Sequence, residues 1–92
     1  MKTFGELKPG DNLYKINYDK VKIVKISSIN SDDTFSYIIT YENMNNYYIL
    51  RKDSYVSHKT FSCKEALIDY ISKEINKLEN RYNRLKDLLD KF

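Results

Sequence analysis

The sharpest pattern in the chain is a run of apolar residues over 68–92, separated alternately by three and four positions. This run, called the seam below, consists of Ile68, Ile71, Ile75, Leu78, Tyr82, Leu85, Leu89 and Phe92. A repeat of 3.5 residues keeps one narrow apolar stripe on one side of an α-helix. The seam therefore predicts a helix that lies against another helix or along a groove.

The helix is expected to begin at a capping box, in which the Ser62 hydroxyl and the Glu65 carboxylate each accept from the other's backbone amide. No Gly or Pro follows, so the helix should run about thirty residues, or roughly 45 Å. Its first turns carry a wide apolar face suited to covering a sheet, formed by Ala66, Leu67, Ile68, Tyr70 and Ile71. We expect residues 62–92 to pack on the preceding domain with their first half and to project with their second.

The first 61 residues alternate between short β-branched or aromatic stretches and turn sequences rich in Asn and Asp. This pattern predicts strands over 12–17, 21–29, 34–41, 47–51 and 54–61. Five short strands at nearly regular spacing favour a small antiparallel barrel, which also protects the sheet edges. The predicted fold is α+β: a five-stranded SH3-like barrel in residues 1–61, followed by one long C-terminal α-helix.

Composition places the chain among small folded domains, with 41% hydrophobic and 32% charged residues. No apolar run approaches the ~18 residues of a membrane span, and the first residues lack the apolar core of a signal peptide. Heavy use of Lys, Asn, Ile and Tyr is typical of AT-rich coding DNA. We therefore expect a cytoplasmic protein of a bacterial host, without membrane contact.

Positive charge is spread evenly, since residues 1–33, 34–61 and 62–92 each contribute one unit to the net +3. Proteins that bind nucleic acids usually concentrate such charge on one face. The nearest approach is a group of lysines beside one tyrosine: Lys15, Lys20, Lys22, Lys25 and Tyr18. A nucleic-acid-binding accessory protein that uses this lysine and tyrosine face is the alternative function, with bases stacking on the tyrosine rings.

Residues that could support catalysis are few and isolated. His58 lies in a predicted strand without an orienting partner, and Cys63 is a single thiol at the predicted helix start. The pair Asp32 and Asp33 lacks the spacing of a calcium loop and suits a turn. No Gly-rich phosphate loop or pair of catalytic acids is present. The sequence predicts a protein that is not an enzyme and uses neither cofactor nor metal.

Aromatic residues in the β half add a second predicted contact surface. Tyr47 and Tyr48 are adjacent, so one of them should face outward from a strand, and outward tyrosines are frequent in protein interfaces. The predicted protein-binding residues are Ile75, Leu78, Tyr82, Leu85 and Leu89 on the helix, with Tyr47 and Tyr48 on the sheet.

The charges beside the seam restrict how two copies could pair. In a parallel, in-register pair, Glu74 would meet the partner's Glu79 and Arg81 would meet the partner's Lys86. Both contacts join like charges, so we expect a homo-oligomer that is not a parallel, in-register dimer. An antiparallel pair, a helical bundle and a helix on another protein all remain open.

The opening Thr3-Phe4-x-Glu6-Leu7-Lys8-x-Gly10-Asp11-x-Leu13-Tyr14 resembles the start of small uncharacterised proteins of phages and mobile elements in low-GC bacteria. The resemblance covers about a dozen residues closely and the layout of strands and final helix loosely. It implies an accessory protein of a phage or mobile element. The predicted function is a non-enzymatic protein-binding module that self-associates or docks on a phage protein or on a host protein, such as one of the defence machinery.

Overall fold

The computed structural model describes all 92 residues and consists of a six-stranded antiparallel sheet followed by one long helix. A single 3-10 turn, Phe4–Glu6, precedes the sheet. The strands are β1 (Asn12–Asn17), β2 (Lys20–Ser31), β3 (Phe35–Thr40), β4 (Asn43–Arg51), β5 (Val56–Ser57) and β6 (Thr60–Phe61), and helix α1 is Lys64–Leu89. Their order across the sheet is β4-β3-β2-β1-β6-β5. The predicted α+β class and the long C-terminal helix are confirmed.

The sheet is curled into a half-barrel. Register shifts interrupt the β2–β3 ladder after Ile26 and the β3–β4 ladder after Ile38, and such bulges increase strand twist. In a flat sheet β1 and β4 would lie about 14 Å apart, because two strands separate them. Instead the Lys15 ammonium on β1 donates to the Tyr48 hydroxyl on β4 at 2.7 Å. The curl therefore brings the concave sides of β1 and β4 together.

The concave face holds the main core, in which side chains of β1 to β4 pack against side chains of the N-terminal segment. Its members are Phe4, Leu7, Leu13, Val24, Ile26, Ile38 and Leu50. Phe4 is inaccessible to solvent, and its amide donates to the Ser54 carbonyl at 2.7 Å. The next amide, of Gly5, donates to the Lys52 carbonyl at 3.0 Å, where a Cβ would approach that oxygen to 2.9 Å. Glycine is thus needed at position 5 for the N-terminal segment to seat against residues 52–54.

The strand predicted over 54–61 is wrong as one element. The structure has two strands of two residues, β5 and β6, joined by a turn at His58 and Lys59. Both turn residues have positive φ, 46° and 62°, as a two-residue type I′ hairpin requires. His58 therefore lies in a turn and not in a strand. The usual Asn-Gly signal of such a turn is absent from His-Lys, so the sequence did not reveal it.

The predicted capping box at Ser62 and Glu65 is also wrong. The N-cap of α1 is Cys63, and no side chain caps the helix. Ser62 is buried, and its hydroxyl donates to the carbonyl of Lys2 and, at 3.4 Å, to that of Tyr55. The hydroxyl is thus used to hold the N-terminal segment against the sheet and is not available to the helix.

A smaller second core joins α1 to the convex face of the sheet. Phe61, Ala66 and Leu67 are buried there, and Tyr70 packs on Phe61 with ring centroids 5.2 Å apart. Ala66 and Leu67 are the only buried residues of α1.

The chain measures 58 × 25 × 19 Å, with a radius of gyration of 17.2 Å. A compact chain of this length would have about 12 Å, so most of α1 extends away from the sheet. The chain contains no helix with the length and apolarity that a membrane crossing requires.

Candidate functional site

The seam is open to solvent along its whole length. Its most covered member, Ile71, is 38% exposed, and its last, Phe92, is fully exposed. Between them the structure leaves Ile75, Leu78, Tyr82, Leu85 and Leu89 exposed as well. Monomeric proteins rarely expose large contiguous apolar patches, and those that do commonly use them for binding. The seam is therefore the candidate site.

The rotation of α1 against the sheet determines which side of the helix is free. Ala66, Leu67 and Tyr70 face the sheet, whereas Ile71 lies about a quarter of a turn and Ile68 nearly half a turn away around the helix. Ile68 is accordingly 52% exposed, although the sequence placed it on the face that covers the sheet. The seam is thus free from the first turns of α1 onward and not only in the distal half.

Charged residues border the seam on both sides. Glu74 pairs with Lys77 at 3.2 Å, and Asp69 pairs with Lys73 at 2.9 Å, both within the exposed surface of the helix. The hydrogen bond from Lys73 to Asp69 raises the pKa of that lysine. Glu79, Arg81 and Lys86 form no ion pair within the chain. Three charges next to the seam are therefore available to a binding partner.

The two adjacent tyrosines of β4 point to opposite faces of the sheet. Tyr47 is 56% exposed on the convex face and meets the Tyr37 ring edge-on, with centroids 5.7 Å apart. Tyr48 is half-buried against the main core and accepts the Lys15 hydrogen bond. Strand β4 is at the opposite side of the sheet from β6, where α1 begins. Tyr47 thus belongs to a surface separate from the seam, and Tyr48 stabilises the curl.

The lysines of the alternative site are divided between the two faces. Lys15 and Lys22 are direct cross-strand partners, so they share the concave side with Lys20. Lys25 pairs with Asn12 and lies on the convex side. Lys22 forms an ion pair with Glu42, and Lys15 is held by Tyr48. The structure does not bring the four ammonium groups together on one face.

Tyr18 lies beside these lysines in the two-residue turn between β1 and β2. Its side chain is 94% exposed, and its φ of 60° is positive. Positive φ at only the first of the two central residues indicates a type II′ turn, which prefers glycine there. A bulky residue in this position has no contact with the sheet that would favour it.

The other chemically active residues have structural surroundings. The Asp32 carboxylate accepts from the Tyr37 hydroxyl at 2.6 Å and from the amides of Thr34 and Phe35. These bonds, that of Tyr37 foremost, lower the pKa of Asp32 below its ordinary value. Asp32 thus closes the turn between β2 and β3. Cys63 is half-buried in a shallow cleft, and nowhere do three His, Cys, Asp or Glu residues come together.

Sequence reasoning missed several exposed apolar residues, among them Leu88, Val21 and Ile23. Leu88 is 53% exposed beside the seam, and Val21 and Ile23 are 50% and 58% exposed on the convex face of β2. The alternation of Val21 and Ile23 with Lys20 and Lys22 was a signal of a solvent-facing apolar side.

No protein-family model matches the chain, and neither a curated protein nor a solved structure does.

Proposed function

We propose that the chain is a non-enzymatic protein-binding module that acts through the seam of α1, by self-association or by docking on another protein. The observation that supports this proposal is the exposure of the seam beyond the last contact of the helix with the sheet. From Ile75 onward every residue of the chain is exposed, yet apolar residues keep their 3.5-residue spacing to Leu89. An exposed helix needs no such stripe for its own stability.

The biological setting is part of the same proposal. The resemblance at residues 3–14 supports an accessory protein of a phage or mobile element, working in the cytoplasm of a bacterial host. Its partner would be a phage protein or a host protein, such as one of the defence machinery. The half-barrel is proposed to be of the SH3-like type, with the 3-10 turn at its open side, and its role is to anchor and orient the helix.

The energy for binding would come from burial of the seam side chains. Fully burying an exposed Leu or Ile is worth about 1.5–3 kcal/mol, and the five of the seam from Ile71 to Leu89 are 38–70% exposed, so each would gain roughly half of that value. Association costs several kcal/mol in lost freedom of motion. The apolar surface is thus sufficient for specific binding when most of the seam is covered at once.

The test compares Leu78→Asp with Asn83→Asp. Leu78 is in the seam, and Asn83 is an exposed residue of the same helix outside it. The proposal expects Leu78→Asp to abolish assembly and capture of any protein from a nuclease-treated bacterial lysate, while Asn83→Asp retains them. Because neither residue touches the sheet, the sheet should stay folded in both variants.

Two outcomes would contradict the proposal. If Leu78→Asp unfolds the sheet, the distal helix belongs to the folded core and the seam is not a binding surface. If nuclease removes every partner and the remaining affinity falls steeply with salt, the lysines carry the function through phosphate contacts. The affinity of a binding surface built from apolar side chains should change little between low and moderate salt.

A further inference from the structure

We propose that the seam is covered by a second copy of this chain, paired antiparallel so that Ile75 of each copy lies against the partner's Leu78. This inference rests on the proposed function, because it identifies the partner of the same surface. Three features of the chain support it: the amount of exposed surface, the order of charges beside the seam, and the position of the seam within α1.

The chain exposes more surface than a folded protein of its mass needs to. Its accessible surface is 7080 Å² for 11.0 kDa, whereas a compact monomer of that mass exposes about 5,600 Å². The difference is about 1,500 Å². A stable interface requires about 800 Å² from each partner. The projecting helix therefore carries enough surface for a full interface.

The charges beside the seam distinguish the possible pairings. In an antiparallel pair each side of the seam meets the same side of the partner, because the second helix is reversed. One side presents Leu67, Glu74, Arg81 and Leu88, and the other presents Glu65, Ser72, Glu79 and Lys86. In a favourable register, each set must therefore meet the same set of the partner, read in the opposite direction, without like charges coming together.

One register matches both sets. When Ile75 lies opposite the partner's Leu78, Glu74 meets the partner's Arg81 and Lys86 meets the partner's Glu65. The symmetry repeats each contact, which gives four opposite-charge pairs. The remaining neighbours are compatible, since Leu88 faces the position of the partner's Leu67, which is buried against the partner's own sheet, and Glu79 meets the partner's Ser72. No like-charge contact is formed.

Every neighbouring arrangement brings like charges together. A shift of one heptad in one direction places Arg81 against the partner's Arg81 and Glu79 against the partner's Glu79. A shift in the other direction places Glu74 against the partner's Glu74 and Glu65 against the partner's Glu79. The parallel pair has the two like-charge contacts already described. Like charges at such positions disfavour a pairing, so the charge order selects one antiparallel register.

The favoured register is centred on the helix and pairs the seam from Ile68 to Leu85. Its symmetry axis passes between Asn76 and Lys77, which is the midpoint of Lys64–Leu89. Six apolar layers result, in which Ile68 meets the partner's Leu85, Ile71 meets the partner's Tyr82, and Ile75 meets the partner's Leu78, each twice. Ile68 and Ile71 are open to solvent because the sheet packs on another side of the helix. The partner's distal half can therefore reach them.

The internal pair of Glu74 with Lys77 does not oppose this arrangement. Both side chains are exposed, and exposed ion pairs of this kind are worth little. Glu74 can therefore turn to the partner's Arg81, which has no acidic partner within the chain. On each side of the symmetry axis, an ion pair between the two copies then replaces the ion pair of Glu74 with Lys77 within one copy.

The experiment measures the dimerisation constant of the full chain by sedimentation equilibrium for the wild type, Glu74→Arg and Arg81→Glu. Each substitution turns two opposite-charge contacts into like-charge contacts, so each variant alone should dimerise roughly tenfold or more weakly. An equal mixture should recover the affinity of the wild type as a heterodimer, since positions 74 and 81 then carry opposite charges wherever the two copies meet. Asp87→Arg, on the outer side of the helix, is the matched control and should have no effect.

A distance measurement fixes the orientation independently. Nitroxide labels at Asp87→Cys in a Cys63→Ser background should lie more than about 30 Å apart in the antiparallel register, because 21 residues of helix separate the two sites along the axis. In a parallel pair they would lie within roughly 20 Å. A short distance, or tighter dimerisation of Glu74→Arg, would overturn the antiparallel pairing.

Failure of this inference differs from failure of the proposed function. A wild-type chain that stays monomeric at its highest soluble concentration overturns the second copy as partner. If Leu78→Asp then still abolishes capture of another protein, the binding module stands with a different occupant. If the seam variants change neither assembly nor capture, both proposals fail.

Discussion

The hydroxyl of Ser62 donates a hydrogen bond to the carbonyl of Lys2, which joins residues separated by 60 positions in the chain. The Ser62 amide also donates to the Tyr55 carbonyl at 3.1 Å. These bonds hold the first residues, the start of β5 and the entry to α1 at one point. The direction of the projecting helix is therefore set by tertiary hydrogen bonds and not by a helix cap.

Replacing Ser62 by alanine should lower the free energy of unfolding by about 1 kcal/mol, because the part-buried hydrogen bond from its hydroxyl to the Lys2 carbonyl is lost. For a chain of this size this corresponds to a fall in melting temperature of about 4–8 °C. Glu65→Ala is the matched control, and it should leave the melting temperature unchanged because Glu65 makes no capping bond. Equal losses in the two variants, measured by thermal denaturation, would instead indicate a capping box.

Ser36→Ala should stabilise the chain by about 1 kcal/mol. The Ser36 hydroxyl is buried beside Leu50 and has no hydrogen-bond partner, and an unsatisfied buried polar group is costly. Ser28→Ala, at an exposed site on β2, is the control and should change little. Chemical denaturation with urea measures both differences, and a loss of stability in Ser36→Ala would mean that the hydroxyl is bonded after all.

Lys59→Gly should raise the free energy of unfolding by up to about 1 kcal/mol. Lys59 has a φ of 62°, a region that costs side-chain-bearing residues about 1–2 kcal/mol, and glycine adopts it freely at some cost in entropy. The same change at Lys52, which does not have positive φ, should not stabilise the chain. A lower melting temperature for Lys59→Gly would show that its side chain contributes contacts that outweigh the strain.

Acid should destabilise the turn between β2 and β3 through Asp32. Its folded-state pKa lies below the ordinary 3.8, because the Tyr37 hydroxyl and two amides bind the carboxylate. Stability from this group is therefore present above the ordinary pKa and is lost as the pH falls through the lower folded-state pKa.

Asp32→Asn should accordingly be less stable than the wild type at neutral pH and should lose less stability on acidification. Tyr37→Phe, which removes the one hydroxyl donor to the carboxylate, should show the same change in part. Urea denaturation at about pH 7 and near pH 3 makes the comparison. Parallel acid profiles for the wild type and Asp32→Asn would show that this carboxylate is not linked to folding.

Local patterns in the sequence predicted those helices and strands that depend mainly on the residues within them. The 3.5-residue spacing identified α1, and β-branched stretches placed β1 and β3 within one or two residues. The use of the Ser62 hydroxyl could not be read in this way, because its acceptor Lys2 is distant in the chain and arrives only on folding. The type I′ turn at His58 and Lys59 was missed because the pair His-Lys lacks the Asn-Gly or Asp-Gly signal of such a turn.

The candidate site followed the same division. The seam was visible as a periodic stripe, but the exposure of Ile68 depends on how α1 rotates against Phe61 and Tyr70, which no local pattern records. The lysines lie close together in the sequence, whereas the pleat of β2 places Lys25 and Lys22 on opposite faces of the sheet. Pairing register decided this, and register is a property of two strands together.

The elongated outline of the chain has a hydrodynamic consequence. A particle of 58 × 25 × 19 Å experiences more friction than a sphere of the same mass. Even a single copy should therefore elute from a gel-filtration column ahead of compact proteins of 11.0 kDa and tumble more slowly than they do. Early elution is thus the expected behaviour of the rod itself, and the number of copies in solution follows from methods that report mass directly.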